Sequence, residues 1–475
     1  MPSLGELGER ASSGDVLFEG SRSTAAELSD RAARVAGGLV ELGVRPGDRV
    51  AVCSLNTPDV LVLYDAVWRA GAVATPVVPA ASEAELRHVL DEAAPSLLVT
   101  SPERAATVSG LPVLTELPVG APVSAVPADG SDPAALLFTG GTTGRAKGVV
   151  LTHDNLWHTG RARQSVLDGS GVRSMLVPLP LSHVYGLLNA VCRMHQASPV
   201  PLLLQRRFDA VEWLALVREH AVEAGALVPS MLQLLLAHDL DGLDSLRYLT
   251  CGGAPLAPAV VHEFQRRVPS VVVCDGYGCT EVTSTATMNP PDAPRVGTVG
   301  LPIPGVEIRI DEASGEVLVR SPGVMAGYWR DPVATAEVLS PDGWLRTGDV
   351  GQLDDEGYLT VVDRLKDLVI RGGFNVYPRD VEDVLLQHPA VASAAVVGRP
   401  DPVLGEEVVA FVSLRPGLTA TSAELVGFGA ERLGRHKHPR EVRIVDVVPL
   451  TPVGKTDRKQ LRALLRDDGG RRPLS

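Results

Sequence analysis

Strand-like and helix-like patterns alternate over the first 130 residues, and this alternation constrains the fold more than any other feature of the sequence. Helical apolar spacing over residues 24–42 is followed by a strand-like run at 48–55, and the same order repeats with a helix at 58–70 and a strand at 72–78. Strands joined by helices lie parallel in a sheet that is covered on both faces. The sequence therefore predicts an α/β fold whose large N-terminal domain contains parallel sheets.

A loop rich in glycine and threonine follows, with the sequence Leu-Leu-Phe-Thr-Gly-Gly-Thr-Thr-Gly-Arg-Ala-Lys-Gly-Val-Val-Leu at residues 136–151. Its apolar flanks are typical of paired strands, so four glycines, three threonines and one lysine lie in a tight connection that can wrap a polyphosphate. It is not a P-loop, because there Gly-Lys-Ser/Thr opens a helix, whereas Lys147 is followed by Gly148 and a strand-like run. A flexible hairpin tip would explain the glycines but not the threonines and the lysine, so we favour a phosphate-binding loop.

Composition and charge exclude several classes of protein. The chain has 475 residues, 45% of them hydrophobic, and a net charge of -13, so it is long enough for two or more domains and lacks the basic surface of a nucleic-acid-binding protein. No apolar run approaches the roughly 20 residues that span a bilayer, and the first residues do not resemble a signal peptide. The five scattered cysteines support neither a disulfide framework nor a zinc site. We expect a cytoplasmic protein, either a monomer or a homodimer.

Lysine is rare, and its positions are informative. Of the 44 basic residues only Lys147, Lys366, Lys437, Lys455 and Lys459 are lysines. Arginine cannot replace a compact ammonium that reaches into a site, and three of these five lysines, Lys147, Lys366 and Lys455, lie at motif positions discussed below.

The phosphate loop resembles that of adenylate-forming enzymes, the superfamily of acyl-CoA synthetases, nonribosomal adenylation domains and luciferases. The family loop is usually Thr-Ser-Gly-Thr-Thr-Gly-x-Pro-Lys-Gly, so this chain departs from it at Gly140 and Ala146. The first change removes a possible phosphate donor and the second loosens the loop, but the paired threonines and Lys147 remain. About eight motifs follow in the family's order over nearly the whole chain, and they are most similar to those of the coumarate-CoA ligase branch.

The resemblance implies an ATP site that uses Mg²⁺. It places Tyr277 against the adenine, Thr280 at the α-phosphate, Glu281 at Mg²⁺, Asp349 on the ribose hydroxyls and Lys455 between the substrate carboxylate and the α-phosphate. A lone carboxylate beside a phosphate-binding hydroxyl suits Mg²⁺, which keeps most of its waters. The residues predicted to bind ATP or AMP are Thr139, Gly140, Gly141, Thr142, Thr143, Lys147, Gly253, Ala254, Pro255, Asp275, Gly276, Tyr277, Gly278, Thr280, Glu281, Asp349, Arg364 and Lys455. Asp275 stands where many relatives have Gln or Asn.

The resemblance also implies an acyl pocket. His183 is flanked by apolar residues at the start of a predicted helix, and such a histidine is more often a satisfied core group. The matching histidine of the family, however, lies against the carboxylate that is activated. The predicted pocket residues are His183, Tyr185, Ser230, Gly253, Gly276, Cys279 and Met288. Relatives that activate amino acids usually carry an Asp at 184–186, and malonate-type ligases carry an Arg near 233–234; this chain has neither. An apolar acid is therefore expected.

Three residues are predicted to contact CoA. Arg207 occupies the place where aryl-CoA ligases often put a basic residue against the CoA nucleotide, although a solvated surface arginine is an equally good interpretation. Gly372 and Gly373 match the loop that borders the pantetheine tunnel in relatives that use CoA.

Two domains are expected. From Arg295 the pattern changes to short strands and turns, which predicts a small β-barrel subdomain within an N-terminal AMP-binding domain of residues 1–365. Lys366 matches the hinge of the family, and residues 366–475 are predicted to form a small, mobile α+β lid domain.

The predicted activity is ATP-dependent activation of an aryl, enoyl or medium-chain carboxylic acid to acyl-AMP, with release of pyrophosphate, followed by transfer to the thiol of CoA. Lys455, Lys147 and His183 are the predicted catalytic residues. One alternative is transfer of the acyl group to a carrier-protein thiol, an amine or another small nucleophile. Another is a nucleotide-binding module without catalysis, which the complete motifs, including Glu281 and Lys455, argue against.

Overall fold

The structure is a computed structural model, and it describes residues 2–10, 13–139, 146–168, 170–451 and 456–467. The chain separates into two compact units. The first contains Met1–Arg309 and Leu318–Arg346, and the second contains Ile310–Val317 and Thr347–Ser475. The domain limits at 365 and 366 and the hinge at Lys366 stay predictions.

The first unit contains a mixed sheet of seven strands that carries the predicted phosphate loop. In spatial order its strands are Gly327–Tyr328, Lys147–Thr152, Pro133–Thr139, Val73–Pro76, Arg49–Cys53, Leu97–Thr100 and Val113–Leu114. The last five run parallel and the first two pair antiparallel. The antiparallel pairing of Thr139 with Lys147 confirms the predicted strand–loop–strand connection.

A second mixed sheet of the first unit has nine strands. Their spatial order is Leu301–Pro302, Thr287–Met288, Val272–Tyr277, Tyr248–Gly252, Ala224–Leu227, Met175–Val177, Leu202–Leu204, Val16–Phe18 and Ser21–Ser23. The six strands from Val272–Tyr277 to Val16–Phe18 are parallel, whereas the outer strands are antiparallel. The predicted α/β fold built on parallel strands is confirmed.

Helices connect these strands, and their ends follow capping rules. Thr24 and Glu27 form a capping box at one helix, as do Ser82 and Glu85 at another, and each box satisfies two backbone N–H groups that a helix terminus leaves open. The described helices of the first unit are Leu4–Arg10, Ala25–Glu41, Pro58–Arg69, Glu83–Ala93, Pro102–Ala105, His153–Leu167, Val184–Arg193, Ala210–His220, Pro229–Leu236, Pro258–Arg267 and Pro332–Val338, with a 3₁₀ turn at Thr280–Val282. No helix within the described ranges is long and apolar enough to cross a membrane.

The predicted β-barrel subdomain is a four-stranded sheet of Glu307–Ile310, Glu316–Arg320, Leu345–Leu353 and Leu359–Arg364. Among the described strands this sheet stays open. Four strands are too few to close around a filled interior, which takes about eight.

From residue 365 onward the described part of the second unit contains a five-stranded sheet and three helices, which confirms the predicted small α+β C-terminal domain. Its strands are Phe374–Val376, Val369–Arg371, Gly405–Leu414, Val391–Asp401 and Glu441–Ile444; its helices are Pro378–Leu385, Ser422–Arg432 and Arg458–Asp467, with a 3₁₀ turn at Leu365–Asp367. The two long central strands are buried on both faces, because alternate residues contribute to two separate hydrophobic clusters.

Candidate active site

The strands that flank the phosphate loop place Thr139 opposite Lys147, and both side chains are partly exposed. Four further predicted phosphate ligands, Gly140, Gly141, Thr142 and Thr143, lie outside the described residues. The structure therefore describes the two ends of the predicted loop but not its centre.

The predicted adenine-binding segments follow two adjacent parallel strands of the nine-stranded sheet. Strand Tyr248–Gly252 leads into Gly253, Ala254 and Pro255, and strand Val272–Tyr277 contains Asp275 and Gly276. A carboxylate oxygen of Asp275 accepts a hydrogen bond from the backbone N–H of Gly276 at 2.9 Å. The structure thus brings both segments to the carboxyl end of the sheet, where open α/β folds bind ligands.

A tight turn connects Tyr277 to the 3₁₀ segment that holds Thr280 and Glu281. Gly278 is required in this turn, because the Cβ of any other residue would lie 2.0 Å from the carbonyl oxygen of Ser284. Glu281 is partly exposed, and its carboxylate accepts a hydrogen bond from the Tyr328 hydroxyl at 3.0 Å.

Tyr328 also contacts the predicted phosphate loop, since its ring centroid lies 5.0 Å from the ammonium nitrogen of Lys147. Burial and the neighbouring Glu281 raise the pKa of the Tyr328 phenol well above its usual value. Tyr328 was not predicted from the sequence, because a tyrosine within Gly-Tyr-Trp carries no local signal and only the tertiary fold brings it to Glu281 and Lys147.

His183 is the N-cap of helix Val184–Arg193, as its position at a predicted helix start requires. Its Nδ1 accepts a hydrogen bond from the backbone N–H of Tyr185 at 3.2 Å, so the ring proton lies on Nε2. Tyr185 is 8% exposed, and its hydroxyl donates to Oγ1 of Thr250 at 3.1 Å. Burial raises the pKa of Tyr185 to about 12, so the phenol stays neutral.

A buried guanidinium lies behind Tyr185. Arg163 is 1% exposed, donates to the amide oxygen of Asn189 at 2.9 Å and lies 5.2 Å from the Tyr185 ring centroid. Within the described part of the chain no carboxylate forms an ion pair with it. Arg163 was not predicted from the sequence, because nothing in the pattern of its helix marks one arginine as buried.

The other predicted pocket residues lie in the same unit. Met288 is 4% exposed, pairs across strands with Gly276 and packs against Ala162 and Ile303. Cys279 is partly exposed at the start of the Thr280–Val282 turn, and Ser230 is partly buried in the first turn of helix Pro229–Leu236. Gly276 thus connects the predicted adenine and acyl residues through one strand pair.

The predicted CoA contact Arg207 is exposed. Its neighbour Arg206 is paired with Glu19 at 2.7 Å, whereas no described residue forms an ion pair or a hydrogen bond with the Arg207 side chain. Arg207 therefore remains available for an anionic group.

In the second unit the predicted ribose-binding residues are neighbours. Asp349 and Arg364 pair across strands, and Nε of Arg364 lies 2.9 Å from a carboxylate oxygen of Asp349. The Asp349 side chain is 6% exposed, so the ion pair holds it in one orientation.

The remaining predicted residues of this unit are exposed or outside the described ranges. Gly372 and Gly373 form the exposed turn between strands Val369–Arg371 and Phe374–Val376, and Lys366 is exposed in the 3₁₀ turn. Lys455 lies outside the described residues.

Two family models match the chain. The model described as "AMP-binding enzyme" matches residues 9–329, and the model described as "AMP-binding enzyme C-terminal domain" matches residues 380–455. A feruloyl-CoA synthase of Amycolatopsis sp is 37% identical over 470 residues, which cover 94% of this chain and 95% of that protein.

Solved structures share the fold over the full length. ATP-bound MatB of Rhodopseudomonas palustris is 30% identical with a TM-score of 0.91, and the match covers 98% of this chain and 99% of that one. The amide bond synthetase McbA of Marinactinospora thermotolerans is 32% identical with a TM-score of 0.87, covering 97% and 99% of the two chains.

Proposed function

The chain belongs to the AMP-binding enzyme family and is an AMP-forming acid–thiol ligase, and from this premise we propose which residues perform each step. The enzyme activates an apolar carboxylic acid with ATP and transfers the acyl group from acyl-AMP to the thiol of CoA. The observation that carries this conclusion is 37% identity to a CoA ligase over 94% of the chain.

In the first half-reaction a carboxylate oxygen attacks the α-phosphorus of ATP and pyrophosphate leaves. Two anions must approach in line, so the site has to neutralise charge and align the reactants. We assign the charge neutralisation to Lys147, Lys455 and the loop threonines, and the orientation of the carboxylate to His183. The hydrogen bond from the backbone N–H of Tyr185 to Nδ1 of His183 supports this role, because it fixes the orientation of the imidazole ring at the helix terminus.

We assign the Mg²⁺ of the family to Glu281. The described residues include no group of three His, Cys, Asp or Glu side chains that could enclose a metal ion. A single oriented carboxylate fits an ion that takes its other ligands from phosphate oxygens and water, as Mg²⁺ does beside nucleotides. When bound, Mg²⁺ would neutralise charge on the polyphosphate.

The acid we propose is aryl, enoyl or medium-chain, and feruloyl-type aryl acids are the first to test. The relative that makes feruloyl-CoA supports this class. Two pairs of predicted pocket neighbours support the same class. Val184 and Gly186 offer no carboxylate to the α-ammonium of an amino acid. Gln233 and Leu234 offer no cation to the second carboxylate of a dicarboxylic acid.

In the second half-reaction the thiol of CoA attacks the acyl carbonyl and AMP leaves. We propose that the lid of residues 366–475 turns about Lys366, withdraws Lys455 and presents Gly372 and Gly373 to pantetheine, while Arg207 binds the CoA nucleotide. Exposure of both glycines and of Arg207 supports this assignment. One site then runs two reactions in turn. Since the reaction consumes ATP and CoA, we place it in the cytoplasm, in secondary metabolism.

A second acceptor class is kept because of one observation, the 32% identity to an amide bond synthetase. In that alternative an amine, a carrier-protein thiol or another small nucleophile attacks the same acyl-AMP.

An ATP–pyrophosphate exchange screen tests the proposal. Aryl, alkyl, dicarboxylic and amino acids are offered in turn, and CoA is then added to each acid that supports exchange. We expect exchange with apolar acids and a thioester product. Exchange without a thioester would favour the alternative acceptors, and no exchange with any acid would contradict the assignment of adenylation.

A further inference from the structure

Tyr328 contacts two oppositely charged residues of the proposed phosphate site. Its hydroxyl donates to the Glu281 carboxylate at 3.0 Å, and its ring centroid lies 5.0 Å from the ammonium nitrogen of Lys147. Glu281 and Lys147 form no ion pair with each other, or with any other residue that the structure describes.

Backbone hydrogen bonds fix Tyr328 to the strand that carries Lys147. Strand Gly327–Tyr328 pairs antiparallel with strand Lys147–Thr152, and the N–H of Trp329 donates to the carbonyl of Gly148 at 2.7 Å. The N–H of Tyr328 itself donates to Oγ1 of Thr335 at 2.9 Å.

The same segment also holds the turn that carries Glu281. The N–H of Met325 donates to the carbonyl oxygen of Glu281 at 2.8 Å, and Oγ1 of Thr283 donates to the carbonyl oxygen of Gly323 at 2.7 Å. Residues 323–329 therefore join the phosphate-loop strand to the Thr280–Val282 turn, with Tyr328 between the two charged side chains.

We propose that Tyr328 is a positioning residue that keeps Lys147 and Glu281 apart and correctly oriented, so that the ammonium serves the polyphosphate and the carboxylate serves Mg²⁺. The inference rests on the proposed function. An ammonium and a carboxylate in a partly desolvated site attract each other strongly, and an ion pair between them would occupy both groups. The tyrosine prevents this by giving each group a separate partner, the ring face for the cation and the hydroxyl for the anion.

Calorimetry with an ATP analogue that has a methylene group between the α- and β-phosphates tests the proposal without turnover. Its affinity is measured with and without Mg²⁺ for the wild type and Tyr328→Phe. The variant keeps the ring beside Lys147 and loses the hydroxyl that orients Glu281. Without Mg²⁺ we expect Tyr328→Phe to bind the analogue as tightly as the wild type. The factor by which Mg²⁺ increases the affinity should be about 10-fold or more smaller in the variant, as is typical when a residue that hydrogen-bonds a metal ligand is removed.

Tyr328→Leu also removes the ring, so Lys147 and Glu281 can pair, and we expect the Mg²⁺-free affinity to fall as well. Tyr248→Phe is the matched control, since it also removes the hydroxyl of a buried tyrosine. Tyr248 begins strand Tyr248–Gly252, whereas the predicted adenine-binding residues follow the other end of that strand. It should leave both affinities unchanged. A second variant covers the case in which Tyr328→Phe folds poorly. Thr335→Val removes the acceptor for the Tyr328 N–H, and we expect it to weaken the tightening by Mg²⁺ as Tyr328→Phe does.

A double-mutant cycle separates positioning from general stability. If the hydroxyl acts through the carboxylate, Tyr328→Phe has no further effect on the Mg²⁺ dependence in a Glu281→Gln background. Full Mg²⁺ dependence in Tyr328→Phe, or an equal loss in both backgrounds, would overturn the inference. A wild type that does not bind the analogue at all would instead contradict the proposed function.

Discussion

Arg458→Met should destabilise the second unit and the segment that carries Lys455. Arg458 lies 2.6 Å from the Glu382 carboxylate, the two side chains are 17% and 11% exposed, and the same carboxylate oxygen accepts the N–H of Val396 at 2.8 Å. Methionine keeps much of the volume but leaves the carboxylate buried without its cation. Breaking such a pair costs about 3 to 5 kcal/mol, a large part of the roughly 5 to 15 kcal/mol that stabilises a domain.

The loss should depend on pH. Burial already raises the pKa of Glu382 above the ordinary 4.5, and removal of Arg458 raises it further. The folded variant then binds a proton that the unfolded chain does not bind, so its free energy of unfolding falls as the pH rises. Since this loss begins as the pH rises above the ordinary pKa of 4.5, we expect a larger destabilisation at pH 8 than at pH 5.

Hydrogen exchange over strand Val391–Asp401 measures this effect, because it reports the opening of the second unit by itself. Tryptophan fluorescence would not, since the five tryptophans, at 68, 157, 213, 329 and 344, all belong to the first unit. Arg432→Met is the control, since its pair with Glu431 is exposed and should contribute less than about 1 kcal/mol. Protection that stays within about 1 kcal/mol of the wild type at both pH values would refute the reasoning.

The same variant should slow adenylate formation. The backbone bridge between Leu450 and Thr456 and the hydrogen bond from the N–H of Asp457 to the carbonyl of Pro449 bracket the segment that contains Lys455. Arg458 anchors the C-terminal side of that segment. We expect a lower rate of pyrophosphate exchange in Arg458→Met than in the Arg432→Met control.

Three further predictions concern other parts of the chain. Burial lowers the pKa of His153 from 6.5 to about 4, so the free energy of unfolding should fall by up to about 3 kcal/mol as the pH drops between these values. His153→Gln can still accept the Leu4 N–H, and it should flatten this pH dependence in acid unfolding curves. Gly300→Ala should lower stability by about 3 kcal/mol in thermal unfolding, because φ is +84° and the new Cβ would lie 2.1 Å from the Met288 carbonyl carbon; an unchanged melting temperature would contradict this. Asp349→Asn should raise the KM for ATP in exchange kinetics by about 10-fold, and an unaltered KM would count against the ribose contact.

Local chemistry allowed the sequence to predict much of the site. The paired strands around the phosphate loop follow from apolar runs on both sides of a glycine-rich connection, and the structure pairs Thr139 with Lys147 as expected. The helix start at His183 was predicted in the same way, from the apolar helical run that follows it.

Contacts between distant segments could not be predicted. Tyr328 meets Glu281 across 47 positions, and Arg163 meets Thr250 across 87, and no periodic pattern links such residues. The order in which the short strands of residues 307–364 pair was unpredictable for a similar reason, since short strands specify their partners weakly.

Single-turnover kinetics of Lys455→Ala test the central claim most directly. The rate of adenylate formation from acid and ATP is compared with the rate of thioester formation from supplied acyl-AMP and CoA, with Lys459→Ala, an exposed lysine of the neighbouring helix, as the control. We predict that Lys455→Ala loses at least about 100-fold in the first rate, as expected when a transition-state charge contact is removed, and keeps the second within a few-fold. Equal loss of both rates, or full adenylation without Lys455, would contradict the division of labour proposed for the two half-reactions.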